Sequence, residues 1–121
     1  MKRLAATLLT GIVLMLAACG GSSGPPTLTM NGSNFTGSTS LTIKAGQSVT
    51  FKNVGSTTHL ISTGHDQKYI AESGAPAALN TAGGVQFPPG KTEVYTFSTP
   101  GTYQITCQVH ANMNATITVT K

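Results

Sequence analysis

Near the C-terminus, the run Cys107-Gln108-Val109-His110-Ala111-Asn112-Met113 carries a thiol, an imidazole and a thioether, each separated from the next by two residues. A second imidazole, His59, lies far upstream. A thiolate and two imidazoles in a trigonal plane, with a weak thioether on the axis, form the donor set of a type 1 (blue) copper site, whose chemistry is one-electron transfer. A lone Cys-x2-His pair would carry little weight. Met113 and His59 complete the set, with His59, Cys107 and His110 as strong donors and Met113 as the weak one. Zinc is the chemical rival, but a thioether is a poor zinc ligand and no convincing fourth donor is present. A Cys107 nucleophile with His110 as base is the catalytic rival. It lacks an orienting group and an oxyanion pocket, because the nearby polar residues are the amides Gln108, Asn112 and Asn114. His65 has no partner at ligand spacing, and Met30 reads as core.

Donors spread from position 59 to position 113 converge only on a scaffold that brings distant segments together. Beyond residue 26 the chain is rich in β-branched and aromatic residues, punctuated by Gly, Pro, Asn and Ser, with no long run at helical spacing. Strands are expected at 27–30, 41–44, 48–53, 59–63, 85–87, 92–98, 102–107 and 113–120. Ala45-Gly46-Gln47 and Pro100-Gly101 supply turn chemistry between neighbours. This predicts an all-β fold, a seven- to eight-stranded antiparallel β-sandwich of Greek-key type. Residues 64–84, which hold Asp66, Glu72, an alanine-rich patch at 75–78 and Gly83-Gly84, read as a long loop with room for one helical turn, its place not fixed by the pattern.

Side chains along a strand alternate between faces, so parity tests whether the donors can meet. Tyr103 and Ile105 make an apolar face that continues to Cys107. Ala115, Ile117 and Val119 make another, and one step back along it is Met113. His59 shares parity with Ile61. The thiol, the thioether and the first imidazole therefore point into one core, and His110 lies in the loop that closes over them.

Residues 1–18 are set apart by composition. Met1-Lys2-Arg3 is basic, Leu4 to Leu16 is apolar with small interruptions, and Leu16-Ala17-Ala18-Cys19 resembles a bacterial lipobox. A signal peptide over 1–18, cleaved before Cys19, with Cys19 as the lipidation site, is the expectation. Residues 19–26 then form a lipidated cysteine and flexible tether, whose seven residues from Gly20 reach about 25 Å when extended. Of 121 residues, 103 remain after the leader, enough for one domain, placed at 27–121. In that part five lysines against Asp66, Glu72 and Glu93 leave a net charge of +2. The lysines are scattered singly, which argues against nucleic acid as a partner. The chain has two cysteines; with Cys19 lipidated, Cys107 has no disulfide partner, and an unpaired thiol in an exported protein fits metal ligation.

The stretch from Pro100-Gly101-Thr102-Tyr103 through Cys107 to Met113 resembles the copper loop of the cupredoxins, small blue copper proteins of plastocyanin, amicyanin and pseudoazurin type. With two residues in each gap it is most similar to amicyanin. Phe51-Lys52-Asn53 followed by His59 resembles the family's upstream histidine segment, and Phe87-Pro88-Pro89-Gly90-Lys91 the turn before its sixth strand. The resemblance covers about residues 27–121. It implies one copper ion cycling between Cu(I) and Cu(II), with His59, Cys107, His110 and Met113 as ligands. It also implies electron exchange through the edge of His110 within an apolar patch, with Ala111 and Pro88-Pro89 as candidates for that patch. One position departs: the family commonly has asparagine after the first histidine, bracing the ligand loop, and here Leu60 stands there.

The expected function is one-electron transfer between redox proteins, of cytochrome or oxidase type, at the outer face of a bacterial membrane, periplasmic or extracellular. The protein is expected to be monomeric and not an enzyme, since no second Cys/His cluster is present. A periplasmic copper carrier or storage protein without redox cycling is the alternative. A metal-free, adhesion-like sandwich is the third class.

Overall fold

Period-two alternation with polar residues outward builds the strands, and glycine-bearing turns end them. The computed structural model describes residues 24–121. The expected leader, the lipid site at Cys19 and most of the tether lie outside the described residues. Among the described residues there are ten strands: β1 (Thr27–Asn31), β2 (Asn34–Thr36), β3 (Ser40–Lys44), β4 (Gln47–Asn53), β5 (His59–His65), β6 (Lys68–Tyr69), β7 (Val85–Phe87), β8 (Thr92–Phe97), β9 (Gly101–Cys107) and β10 (Asn114–Thr120). They form two sheets, one ordered β2-β1-β4-β8 and one β3-β10-β9-β5-β6 with β7 also on β5. Between them lie Leu28, Met30, Val49, Phe51, Ile61, Phe87, Phe97, Ile105 and Ile117, all fully buried. Burial of such side chains contributes roughly 1.5–3 kcal/mol each, which is why the two inward faces close on each other. Met30 is core, as its surroundings in the sequence suggest.

The sandwich is all-β, as expected, but its sheets are mixed. β1 pairs with β4 in parallel, Thr27 opposite Thr50, and β3 pairs with β10 in parallel, Ser40 opposite Thr116. The chain crosses from one sheet to the other between β2 and β3 and back between β3 and β4, so returning strands run beside earlier ones in the same direction. Alternation has period two in either direction, so the pattern cannot distinguish the pairings. Tyr103 donates its hydroxyl to Thr99 O at 2.6 Å, the contact that pins the crossing connection in other Greek-key sandwiches.

Two short strands were not expected. β2 closes a hairpin on β1 through Gly32-Ser33, with Gly32 at φ +61°. β6 closes one on β5 through Asp66-Gln67, both in the left-handed region at φ +51° and +66°. Two positive φ values give the primed turn that matches strand twist. Neither residue is glycine; their N–H groups are held instead by Asn114 Oδ1 at 2.9 Å and Thr106 Oγ1 at 3.2 Å. The rest of the expected loop is organised by Asn80, whose side-chain amide accepts from Glu72 N and Thr63 Oγ1 and donates to Glu72 O. The expected helical turn is a single turn closed by Leu79 N and Asn80 N on Pro76 O.

Candidate metal centre

His59 opens β5, Cys107 ends β9, and Met113 directly precedes β10, so three donors sit at one pole of the sandwich on neighbouring strands. Register fixes them: Ile61 lies opposite Cys107 on β9, and His59 lies opposite Phe87 on β7. Parity holds. His59 and Cys107 are fully buried and Met113 is 1% exposed, inward of the same core as Ile61, Ile105 and Ala115. His110 is half-buried in the loop between β9 and β10.

Cys107 Sγ lies 3.8 Å from His59 Nδ1 and 3.4 Å from His110 Nδ1. All three donor atoms lie within 4.8 Å of one another, and the imidazole rings are 4.9 Å apart, centroid to centroid. A transition metal bound at about 2.3 Å to sulfur and about 2.0 Å to nitrogen, in a trigonal plane, holds S and N about 3.7 Å apart. The observed separations bracket that value, so the donor set fits a metal ion without rearrangement. His59 is pushed below the ordinary imidazole range, first by burial and then by repulsion from His110. That keeps it neutral, as a ligand must be.

The loop is tied at its neck. Cys107 N donates to Met113 O at 3.0 Å, and Gln108 N to Leu60 O at 2.8 Å. Thr106 Oγ1 donates to Asn114 Oδ1 at 2.9 Å. Asn112, at the loop's turn, takes φ +60°, a conformation asparagine tolerates. Asn53 closes the other approach. Fully buried at the end of β4, it donates through Nδ2 to Phe87 O at 2.8 Å and Thr57 O at 2.7 Å and accepts from Gly55 N at 3.0 Å. It thereby fixes the segment leading into His59. Its signal in the sequence is parity: Val49, Phe51 and Asn53 share the inward face, and an inward asparagine marks a polar hub.

His65 is exposed and lies 3.1 Å from Asp66, away from the donors, as its spacing suggested. Cys107 is a free, buried cysteine, and a thiol with no exposure has no access to a substrate. A hollow of about 460 Å³ beside the centre is lined by Thr57, Thr58, His59, Leu60, Gln86, Val109 and His110. Val109, 53% exposed, supplies apolar surface there that the sequence reading did not single out. Ala111, Pro88 and Pro89 are exposed but do not line it.

Residues 29–120 match the family of copper binding proteins of plastocyanin/azurin type. The chain belongs to that family. Comparison with the sequences of curated proteins finds no match. Among solved structures, amicyanin from Paracoccus versutus is similar at 20% identity and TM-score 0.59, over 78% of this chain and 80% of that one. A reduced amicyanin carrying a proline-to-phenylalanine substitution is similar at 21% identity and TM-score 0.60, over 79% and 82%. A copper(I) amicyanin with a methionine-to-alanine substitution gives 20% and 0.61, over 81% and 84%. These likenesses give the cupredoxin fold. Copper, one ion, is the metal of this family, and His59, Cys107, His110 and Met113 are arranged as a blue copper site.

Proposed function

We propose that this cupredoxin is a membrane-tethered one-electron carrier, passing electrons between redox proteins of cytochrome or oxidase type through the His110 edge. The observation that carries the reading is the triad of buried Cys107, buried His59 and half-buried His110, with donor atoms within 4.8 Å of one another, on a chain of the copper-binding family. His59, Cys107 and His110 would hold the copper, with Met113 as the weak fourth donor. Bound there, copper would supply a one-electron couple at a potential that the weak Met113 donor and the thiolate's surroundings would tune. The protein's part is rigidity. Three donors on strand ends cannot follow the geometric preferences of the two oxidation states, so little reorganisation accompanies transfer.

Half-buried His110 and exposed Val109 present a surface whose hollow is lined by no side chain of fixed charge. A partner docking there meets apolar, hydroxyl, amide and imidazole groups and no carboxylate or ammonium, so association should change little between low and physiological ionic strength. β1 begins at the opposite pole, where Pro26 O accepts from Thr50 N and Ala45 N reaches Thr120 O. An anchor at Cys19 with the tether at 19–26 would thus leave the copper pole facing away from the bilayer, toward a soluble or opposing partner. A monomer that carries electrons and catalyses nothing itself suits a single buried metal.

The test is copper(II) addition to the metal-free protein. An intense visible thiolate-to-copper band with a reversible one-electron couple is expected, and Cys107→Ser should abolish the colour. A colourless protein that binds copper(I) and releases it readily would support a copper carrier or store instead. No copper binding, with Cys107→Ser indistinguishable from wild type, would overturn both.

A further inference from the structure

The position after Cys107 has a role that ligand spacing does not reveal. We infer that Gln108 is a positioning residue for the copper centre, fixing the thiol-bearing end of β9 against the strand that carries His59. Its backbone N–H donates to Leu60 O at 2.8 Å, extending the β5–β9 ladder one step past Ile61 and Cys107. Its side-chain Nε2 uses both hydrogens, one on Ser62 Oγ at 2.9 Å and one on Ala82 O at 3.1 Å. Ser62 is fully buried, so without this amide its hydroxyl would lose a partner in the interior.

The third element drawn in is the segment before β7. Gly84, at φ +58°, passes so close that a Cβ there would meet Ile61 O at 2.8 Å and Gln108 Nε2 at 3.3 Å. Ala82 and Gly84 therefore pack the chain onto Gln108, and β7 follows at once to pair Phe87 with His59. One side-chain amide thus joins the residue next to Cys107 to Ser62 on β5, three residues past His59, and to Ala82 in the segment that leads into β7. Leu60 contributes only its carbonyl to this bracing. Its apolar side chain has no donor, and the side-chain hydrogen bonds come from the other strand, through Gln108. Sliding the Cys107 end of β9 along β5 would have to break the Leu60 and Ser62 contacts together, and the Ala82 contact with them if the segment before β7 stays with β5.

This inference rests on the copper reading, and two variants on the full-length protein test it. Gln108→Met keeps length and removes both donors; Ser62→Ala removes one acceptor and keeps Ala82. Native-state hydrogen exchange at the Gln108 amide is measured on the metal-free proteins, and the charge-transfer spectrum, copper(II) release and electron self-exchange after loading with copper(II). In Gln108→Met, amide exchange should be faster, copper(II) release about 10-fold faster, the scale of outer contacts at metal sites, the charge-transfer bands redistributed and self-exchange slowed. Ser62→Ala should shift the same spectrum in the same direction by less. A Gln108→Met protein with faster amide exchange but wild-type spectrum, release and self-exchange would make Gln108 a structural staple and overturn the inference, as would wild-type behaviour in every readout. A colourless wild type would overturn the copper reading itself, before any variant is compared.

Discussion

Replacing Asn53 tests whether the approach to His59 is held by one buried amide. Asn53→Ala removes two donated bonds and one accepted bond. Phe87 O is left as a buried acceptor without its partner, at about 2 kcal/mol; the part-buried bonds to Thr57 O and from Gly55 N contribute about 1 kcal/mol each. The expected loss is about 4 kcal/mol, large for one substitution because three backbone groups depend on one side chain. With an m-value of about 1.5 kcal/mol/M, the urea midpoint of the metal-free protein should fall by about 2.5 M. Asn53→Leu, which restores volume but no hydrogen bond, should fall nearly as far, separating lost bonding from lost packing. Thr57 precedes His59 by two residues, so the copper-loaded variants should also show a weakened thiolate-to-copper band. A midpoint shift below about 0.7 M in both variants, near 1 kcal/mol on the same slope, would refute the reasoning.

Further outcomes follow from burial, axial bonding and backbone space. His59 titrates lower folded than unfolded, so the unfolded chain binds more protons between the two values. Stability of the metal-free protein should therefore be complete above about pH 6.5 and fall as pH drops below it, and denaturation midpoints for wild type and His59→Gln measured across that range should differ in slope. Met113→Leu conserves volume at a buried position, so stability should fall by less than about 1.5 kcal/mol. Its reduction potential by voltammetry should rise, because copper(II) loses a donor it uses more than copper(I) does. Gly64→Ala should destabilise by about 3 kcal/mol or more, since a Cβ at φ +137° runs into Lys68 O. Gly32→Ala, at φ +61° with open space around it, should cost only about 1 kcal/mol, and calorimetric melting of the pair tests the contrast.

Much of the site was legible because its signals are local. Cys107, His110 and Met113 lie in one short run, and strand parity extrapolated from Tyr103, Ile105 and Ala115 aims two sulfurs at one core whatever the sheet order. His59 needed one further step, parity with Ile61, which the burial of both residues bears out. Asn53 was within reach of the same argument, as a polar residue on an inward face. Gln108 was not. It lies just past the strand end where alternation stops, and its partners Ser62 and Ala82 are 46 and 26 residues away.

By itself the sequence determined an all-β sandwich, the strand segments that form most of it, and the four donors at one end, because hydrophobic alternation and ligand type are properties of single residues and near neighbours. Tertiary structure alone decided the rest. It set β1 and β3 parallel to β4 and β10, since alternation is blind to strand direction. It stabilised a primed turn at Asp66-Gln67 without glycine, by supplying acceptors from Thr106 and Asn114. It also brought donor atoms of His59, Cys107 and His110 to within 4.8 Å, set by the registers of β5, β7 and β9 and by the loop that carries His110. Registers depend on hydrogen bonds between residues far apart in the chain, and no local pattern encodes them.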